Sequence, residues 1–306
     1  MNYPKKASHG AKIGIAAVSS MPAKKDVSQG IKNLRKMGYE VFDFTRVLRK
    51  NISDLQRIEI LHRALSDKSV EVIVMARGGY GSLRILDKID YRLVNKSRKI
   101  MVGFSDFTAI SLAVFKKTKL ITFSGPMLKT HFAGPVSGLT RESFNDNIHG
   151  FIRAGETVNL KQIGGKMLKR GSAPGFLLGG NLSVLCRLIG TEYLPDFTDA
   201  ILFIEDVDEH AGRLDNAFAQ LRNCGILNKV GGVLAGQFSN CFKGSKARQL
   251  SEIKALLKDY TDDLNIPVMY DLPFGHENKI ITMPVGLPVR LDSAKGKLTY
   301  LETPVE

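Results

Sequence analysis

Apolar residues in the first 130 positions come as short unbroken runs, separated by stretches in which they recur every three or four residues. The runs Lys12–Ser19, Glu40–Phe44, Val70–Ala76, Ile100–Phe104 and Leu120–Ser124 read as β-strands. Between them, Val27–Met37 reads as a helix ended by Gly38. Ser53–Ser66 reads as another, with Ser53 as N-cap and Leu55, Ile58, Leu61 and Leu65 on its apolar face. Val70–Ala76 is almost wholly apolar, which suits a strand covered on both faces. Strands alternating with helices predict an α/β fold with a doubly wound, mostly parallel sheet. In such sheets the functional crevice lies beyond the carboxyl ends of the strands.

The pattern changes after about residue 130. Gly134, Pro135, Gly138, Gly150, Gly155, Gly164 and Gly165 punctuate an irregular stretch. It reads as a linker over 136–170, between an N-terminal domain, 1–135, and a C-terminal domain, 171–306. In the second domain Gly179-Gly180-Asn181 precedes a helix running to Ile189. Asp199–Ile204, Gly232–Phe238 and Pro267–Tyr270 read as strands, Arg213–Asn223 and Glu252–Tyr260 as helices. The tail, Pro288–Leu291 and Leu298–Leu301 around Asp292–Gly296, reads as a β-hairpin, so this α/β domain has a β-rich end.

Composition narrows the class. Hydrophobic residues make up 43% and charged residues 24%, which fits a globular domain with a full core. Cys186, Cys224 and Cys241 are odd in number and widely spaced. They predict buried thiols in a reducing compartment, not a disulfide framework or a metal site. Lys5, Lys6 and Lys12 before Ile13–Val18 imitate a signal peptide, but the stretch reads better as a first strand closed by Ser19, Ser20 and Pro22. No run reaches the length of a membrane span, so the expectation is a cytoplasmic protein without membrane contact. Net charge is +14, and residues 1–130 hold 25 of the 44 basic and 10 of the 30 acidic residues. These cations are dispersed, without an arginine run or interleaved aromatics, so a solvated basic surface is expected in place of nucleic-acid binding.

Candidate chemistry centres on residues 99–115. The apolar run Ile100–Phe104 breaks at Ser105, and helical spacing follows from Asp106. A serine at a strand-to-helix turn is the geometry of a nucleophile elbow, although Gly103-Phe104-Ser105-Asp106-Phe107 keeps only the first glycine of G-x-S-x-G. The same position also suits an ordinary helix N-cap. The loop Arg77-Gly78-Gly79-Tyr80-Gly81-Ser82 follows a strand in the same way. Its G-G-x-G spacing is neither the dinucleotide fingerprint nor a P-loop. It is open to a structural turn, an anion cradle, or an oxyanion donor beside Ser105 with the N–H of Asp106 as the second donor. Of six histidines, His276 stands out in the turn-rich loop Pro273–Asn278, where a side chain can face a cleft. Glu205 follows an apolar strand and is itself followed by Asp206, Asp208 and Glu209. It reads either as the carboxylate that orients a base or as part of a solvated acidic loop.

Five blocks in fixed order carry a resemblance over nearly the whole chain: Ala-Arg-Gly-Gly-Tyr-Gly-Ser (76–82), Gly-Phe-Ser-Asp-Phe-Thr-Ala (103–109), Leu-Leu-Gly-Gly-Asn-Leu (177–182), Leu-Phe-Ile-Glu-Asp-Val (202–207) and Phe-Gly-His (274–276). The chain resembles the LD-carboxypeptidase family of serine peptidases, which includes murein tetrapeptide carboxypeptidases and microcin C immunity hydrolases. The resemblance implies a triad of Ser105, Glu205 and His276, an oxyanion hole from the N–H groups of Gly79 and Asp106, and an active site between two domains. It also implies a homodimer. No metal or organic cofactor is called for. The implied activity is release of terminal D-Ala from a murein tetrapeptide in peptidoglycan recycling, with Arg77 and Gly78 as candidate substrate contacts. The pattern departs from the family at Ser124, where a histidine often precedes Gly-Pro; this bears on substrate contacts and leaves the triad intact. Two alternatives stand beside it: an immunity-type amidase acting on peptidyl-nucleotides, and a two-domain small-molecule binding protein that breaks no bond.

Overall fold

The five apolar runs of the first half do form parallel strands: β1 (Lys12–Ala16), β2 (Glu40–Asp43), β3 (Val72–Met75), β4 (Ile100–Gly103) and β5 (Thr122–Ser124). The structure is a computed structural model that describes residues 1–46 and 51–306. Its chain divides into two units, the first made of Met1–Ile152, Asn278–Gly286 and Thr303–Glu306, the second of Arg153–Glu277 and Leu287–Glu302.

In the first unit a six-stranded sheet runs in the order Met283–Val285, β5, β4, β3, β1, β2. The first of these is antiparallel to β5 and the other pairings are parallel. Every residue of β3 and β4 is buried. Successive side chains on a strand point to opposite faces, so both faces of the sheet are covered there. Helices α1 (Lys24–Lys36), α2 (Asp54–Ser66), α3 (Tyr91–Ser97), α4 (Thr108–Thr118) and α5 (Gly138–Ile148) belong to this unit. Ser53 closes α2 with a capping box shared with Gln56. The buried face of α2 differs from the expected one. Leu55 is 75% exposed, and Arg57 is buried in company with Ile60, Leu61, Ala64 and Leu65. Arg57 tolerates that place because its guanidinium is spent: NH1 meets Asp54 at 2.9 Å and Nε donates to the Ser19 carbonyl at 3.2 Å. In α4, nine of the eleven residues are buried, which leaves only the end around Lys116 and Lys117 for solvent.

The second unit is built on an eight-stranded sheet. Its strands are β6 (Thr157–Asn159), β7 (Lys166–Lys169), β8 (Ser172–Asn181), β9 (Ile201–Val207), β10 (Gly232–Ser239), β11 (Val268–Tyr270), and, beyond Met283–Val285 (β12), β13 (Pro288–Asp292) and β14 (Lys297–Tyr300). The order is β6-β14-β13-β8-β9-β10-β11-β7. The middle, β8 to β11, is parallel, and β13 and β14 form the antiparallel hairpin expected at the tail. Helices α6 (Leu182–Cys186), α7 (Ala211–Asn223), α8 (Ile226–Lys229) and α9 (Lys246–Thr261) complete the unit. The stretch 136–170 is not bare connection: α5 packs in the first unit, while β6 and β7 edge the second sheet. Short strands with exposed and lysine-bearing positions, such as Lys166-Met167-Leu168-Lys169, carry too little apolar signal to be seen by pattern. Among the described residues, no helix is long and apolar enough to cross a membrane.

Candidate active site

Ser105 sits where β4 ends and the chain turns into α4. Its φ is +61°, in the left-handed region that a residue with a Cβ seldom occupies. A single 3-10 turn, Ser105–Phe107, leads into α4. Ser105 is therefore not an N-cap: Phe104 precedes the 3-10 turn, Phe107 precedes α4, and neither end is closed by a side-chain hydrogen bond. The strained turn and the uncapped helix start are what a nucleophile elbow requires.

The glycine loop after β3 meets this serine. A Cβ placed on Gly78 would lie 2.8 Å from Ser105 Oγ, so only glycine lets the loop backbone come so close to the hydroxyl. Gly79 has φ +115°, and a Cβ there would strike Ser20 Oγ at 2.3 Å. Gly78 is buried, Arg77 and Ser105 are half-buried, and Gly79 is exposed. Tyr80 in the same loop is 66% exposed, with the Arg57 guanidinium 5.7 Å from its ring centre. The structure thus brings Ser105, Asp106, Gly78 and Gly79 into one neighbourhood within the first unit.

Glu205 and His276 meet within the second unit. The imidazole Nδ1 lies 2.8 Å from Glu205 Oε2, and an ionised carboxylate can only accept, so Nδ1–H donates. Strand β9 runs three residues further than expected, to Val207, so Glu205 and Asp206 are strand residues, each 2% exposed, and the solvated-loop reading is excluded for both. Glu205 pairs in register with Asn181 of β8. Its second oxygen, Oε1, is buried without a hydrogen-bond partner among the described residues. Burial alone would lower the His276 pKa. The Glu205 charge and hydrogen bond, joined by Asp206 and Asp208, outweigh it and hold the pKa above the ordinary histidine value.

Every other histidine has a different occupation. His62 Nε2 accepts from the N–H of Asp90, and burial lowers its pKa. His131 Nδ1 accepts from the N–H of Met127. His210 caps α7 by accepting from Gly212 N. His9 and His149 stack at 5.4 Å, and His149 Nδ1 lies 3.0 Å from the Ala7 carbonyl oxygen. Among the described residues His276 is the histidine hydrogen-bonded to a buried carboxylate. The three thiols are free, with Cys186 and Cys241 buried and pushed up to about 12 by desolvation. No group of three or more His, Cys, Asp or Glu among the described residues is placed to hold a metal ion.

Some supporting residues escaped the sequence reading. Asp206, on the opposite face of β9 from Glu205, accepts from Asn181 Nδ2, Ser183 N, Ser183 Oγ and Val207 N at 2.7–3.0 Å. Burial raises its pKa, against the lowering pull of the Ser183 hydroxyl. Asn181 also caps α6 through Val184 N. The Gly-Gly-Asn block preceding a helix was the available signal for this anchor. Ser19, whose hydroxyl donates to Asp106 at 2.6 Å, had no signal beyond its place in the turn after β1.

Residues 13–125 match the LD-carboxypeptidase N-terminal domain and residues 174–291 the LD-carboxypeptidase C-terminal domain. The chain belongs to the LD-carboxypeptidase family of peptidases. A probable murein peptide carboxypeptidase of Bacillus subtilis (strain 168) is 32% identical over 304 residues, covering 96% of this chain and 93% of that protein. A crystal structure of muramoyltetrapeptide carboxypeptidase from Oxalobacter formigenes is 32% identical with a TM-score of 0.81, covering 94% and 97% of the two chains. The microcin C7 self-immunity protein MccF in its wild-type apo state superposes over 100% of both chains with a TM-score of 0.91. At 23% identity, that last likeness speaks for the fold alone.

Proposed function

We propose that the protein is a serine LD-carboxypeptidase that removes terminal D-Ala from murein tetrapeptide. The hydrogen bond from the half-buried His276 to the buried Glu205 carboxylate carries this reading. With Nδ1–H donating to the carboxylate, the ring is held in the tautomer whose basic nitrogen is Nε2, which is the tautomer a general base needs. In the proposed reaction Ser105 Oγ attacks the carbonyl of the diamino acid next to D-Ala, and its proton passes to His276. The N–H groups of Gly79 and Asp106 hold the oxyanion, a contribution of about 3 kcal/mol per donor. The imidazolium returns the proton to the D-Ala nitrogen as the C–N bond breaks, and water then hydrolyses the acyl-serine. Arg77, with the adjacent backbone of Gly78, is assigned to the substrate's terminal carboxylate. The reading extends to peptidoglycan recycling in the cytoplasm by a homodimer.

Mass spectrometry of L-Ala-γ-D-Glu-meso-diaminopimelate-D-Ala, incubated with wild type and with Ser105→Ala, tests it. D-Ala is expected with wild type alone. An intact tetrapeptide in both samples overturns the reading. Cleavage of a peptidyl-nucleotide in the same assay, with the tetrapeptide untouched, would assign the immunity-type reaction instead.

A further inference from the structure

The carboxylate of Asp106 does not do what an acidic residue in a first helical turn ordinarily does. Neither the 3-10 turn nor α4 receives a side-chain cap. Oδ2 instead accepts from two other segments: Ser82 N of the glycine loop at 2.9 Å, and Ser19 Oγ of the turn after β1 at 2.6 Å. The Ser19 and Ser82 hydroxyl oxygens are themselves 3.1 Å apart. All three residues are buried, with Asp106 3% exposed and both serines fully covered. A second seam joins the same two segments, where Ser20 N donates to the Gly78 carbonyl and Tyr80 N to Ser20 Oγ, each at 3.4 Å. Arg57 Nε holds the Ser19 carbonyl from behind.

Burying a carboxylate is costly unless its acceptors are filled, and this one is filled by atoms that belong to the surroundings of Ser105. From these contacts, and resting on the serine-peptidase reading above, we propose that Asp106 is a positioning residue. Its carboxylate ties the glycine loop and the turn after β1 to the residue that follows Ser105 in the elbow, and so sets the spacing between the Gly79 and Asp106 N–H groups that receive the oxyanion. Ser19 is the second half of the tie. An oxyanion forms only during the reaction, so a loosened tie affects kcat before KM. Misplacing a reacting or stabilising group by about 1 Å costs on the order of 10²-fold in rate.

The test uses four full-length variants, Asp106→Ala, Asp106→Asn, Ser19→Ala and Ser19→Thr, with steady-state kinetics on the tetrapeptide and amide hydrogen exchange at residues 78–82. Asp106→Ala is expected to lower kcat by about 10²-fold with KM within about threefold, and to speed exchange at Ser82. The asparagine amide oxygen can still accept from both donors, so Asp106→Asn recovers most of the lost kcat. Ser19→Ala is expected to cost about tenfold in kcat, with Ser19→Thr restoring it, and this pair carries the test if Asp106→Ala fails to fold. Equal losses in Asp106→Asn and Asp106→Ala, unchanged kcat in Ser19→Ala, or unchanged exchange at Ser82 each overturn the proposal. A wild type without turnover overturns the carboxypeptidase reading, and the tie is then judged on the exchange data alone.

Discussion

His276 Nδ1 and Glu205 Oε2 are 2.8 Å apart, and the carboxylate is 2% exposed. The pair sits at the ends of two different segments of the second unit, β9 and the loop after β11, so its formation reports that this unit has folded correctly around its parallel strands. Glu205 raises the His276 pKa, and a base works only when neutral. The rising limb of kcat/KM against pH is therefore expected above the ordinary histidine value of about 6.5. Glu205→Gln removes the charge that holds the pKa up, so the limb moves to lower pH. A pH–rate profile for both proteins, with an NMR titration of the His276 ring, checks the direction; a limb that stays put counts against the assignment.

Removing the carboxylate also removes what fixes the ring. Glu205→Gln is expected to lower kcat by about 10²- to 10⁴-fold, because the amide favours the wrong imidazole tautomer. KM should change far less, since no substrate contact is assigned to Glu205. Steady-state kinetics at the pH optimum of each protein separates this loss from the shift in the limb.

Ser105→Ala is expected to abolish turnover, by about 10⁴-fold or more, and to leave tetrapeptide binding in place. Calorimetry on the variant reads the binding directly. Retained binding with unchanged turnover would point to a different nucleophile.

At Gly78 the backbone stands so close to Ser105 that a single methyl group is a test. Gly78→Ala would set a Cβ 2.8 Å from Oγ and 2.9 Å from the serine Cβ. The serine must shift or change rotamer, and acylation is expected to slow by about 10²-fold. Thermal unfolding should change little, because Ser105 is only half-buried and has room to give. Trapping of the acyl-enzyme by rapid quench would measure the loss at the step where it arises.

Asp206→Ala is a stability test. It removes the acceptor of four hydrogen bonds donated by Asn181, Ser183 and Val207. A loss of about 2–4 kcal/mol is expected in urea unfolding. The pH dependence runs the opposite way to that of a salt-bridged acid. Burial raises the folded-state pKa of Asp206, so its own contribution is fullest at low pH and declines as pH rises through that raised value. Against the wild type, the deficit of the variant should thus narrow from acid towards neutral pH.

Much of this molecule was legible in advance because apolar runs and turns leave strong local signals. The parallel strands β1 to β5, the break at Ser105 and the terminal hairpin all follow from residue spacing. What stayed hidden has a common physical cause. The burial of Arg57 and the exposure of Leu55 depend on Asp54 and the Ser19 carbonyl, which no helical periodicity encodes. Strand β12 has three residues, one of them Pro284, so it reads as loop until its partner β5 is known. Residue spacing left Glu205 open between a base-orienting carboxylate and a solvated acidic loop, because the strand signal fades where the charged residues begin. Two buried carboxylates on opposite faces of one strand take most of their partners from other segments, His276 for Glu205 and Asn181 and Ser183 for Asp206.

The return of residues 278–286 to the first sheet bears on how this protein can be dissected. The edge of β5 is covered by β12, which arrives some 160 positions later in the chain. A fragment ending at residue 152 would leave that edge bare, with its N–H and C=O groups free to recruit a strand from another molecule. The half that carries Ser105 is thus a poor candidate for expression as an independent module. Insertions or fusion partners are better placed at exposed turns within a unit, such as Gly190, than at the points where the chain crosses from one unit to the other.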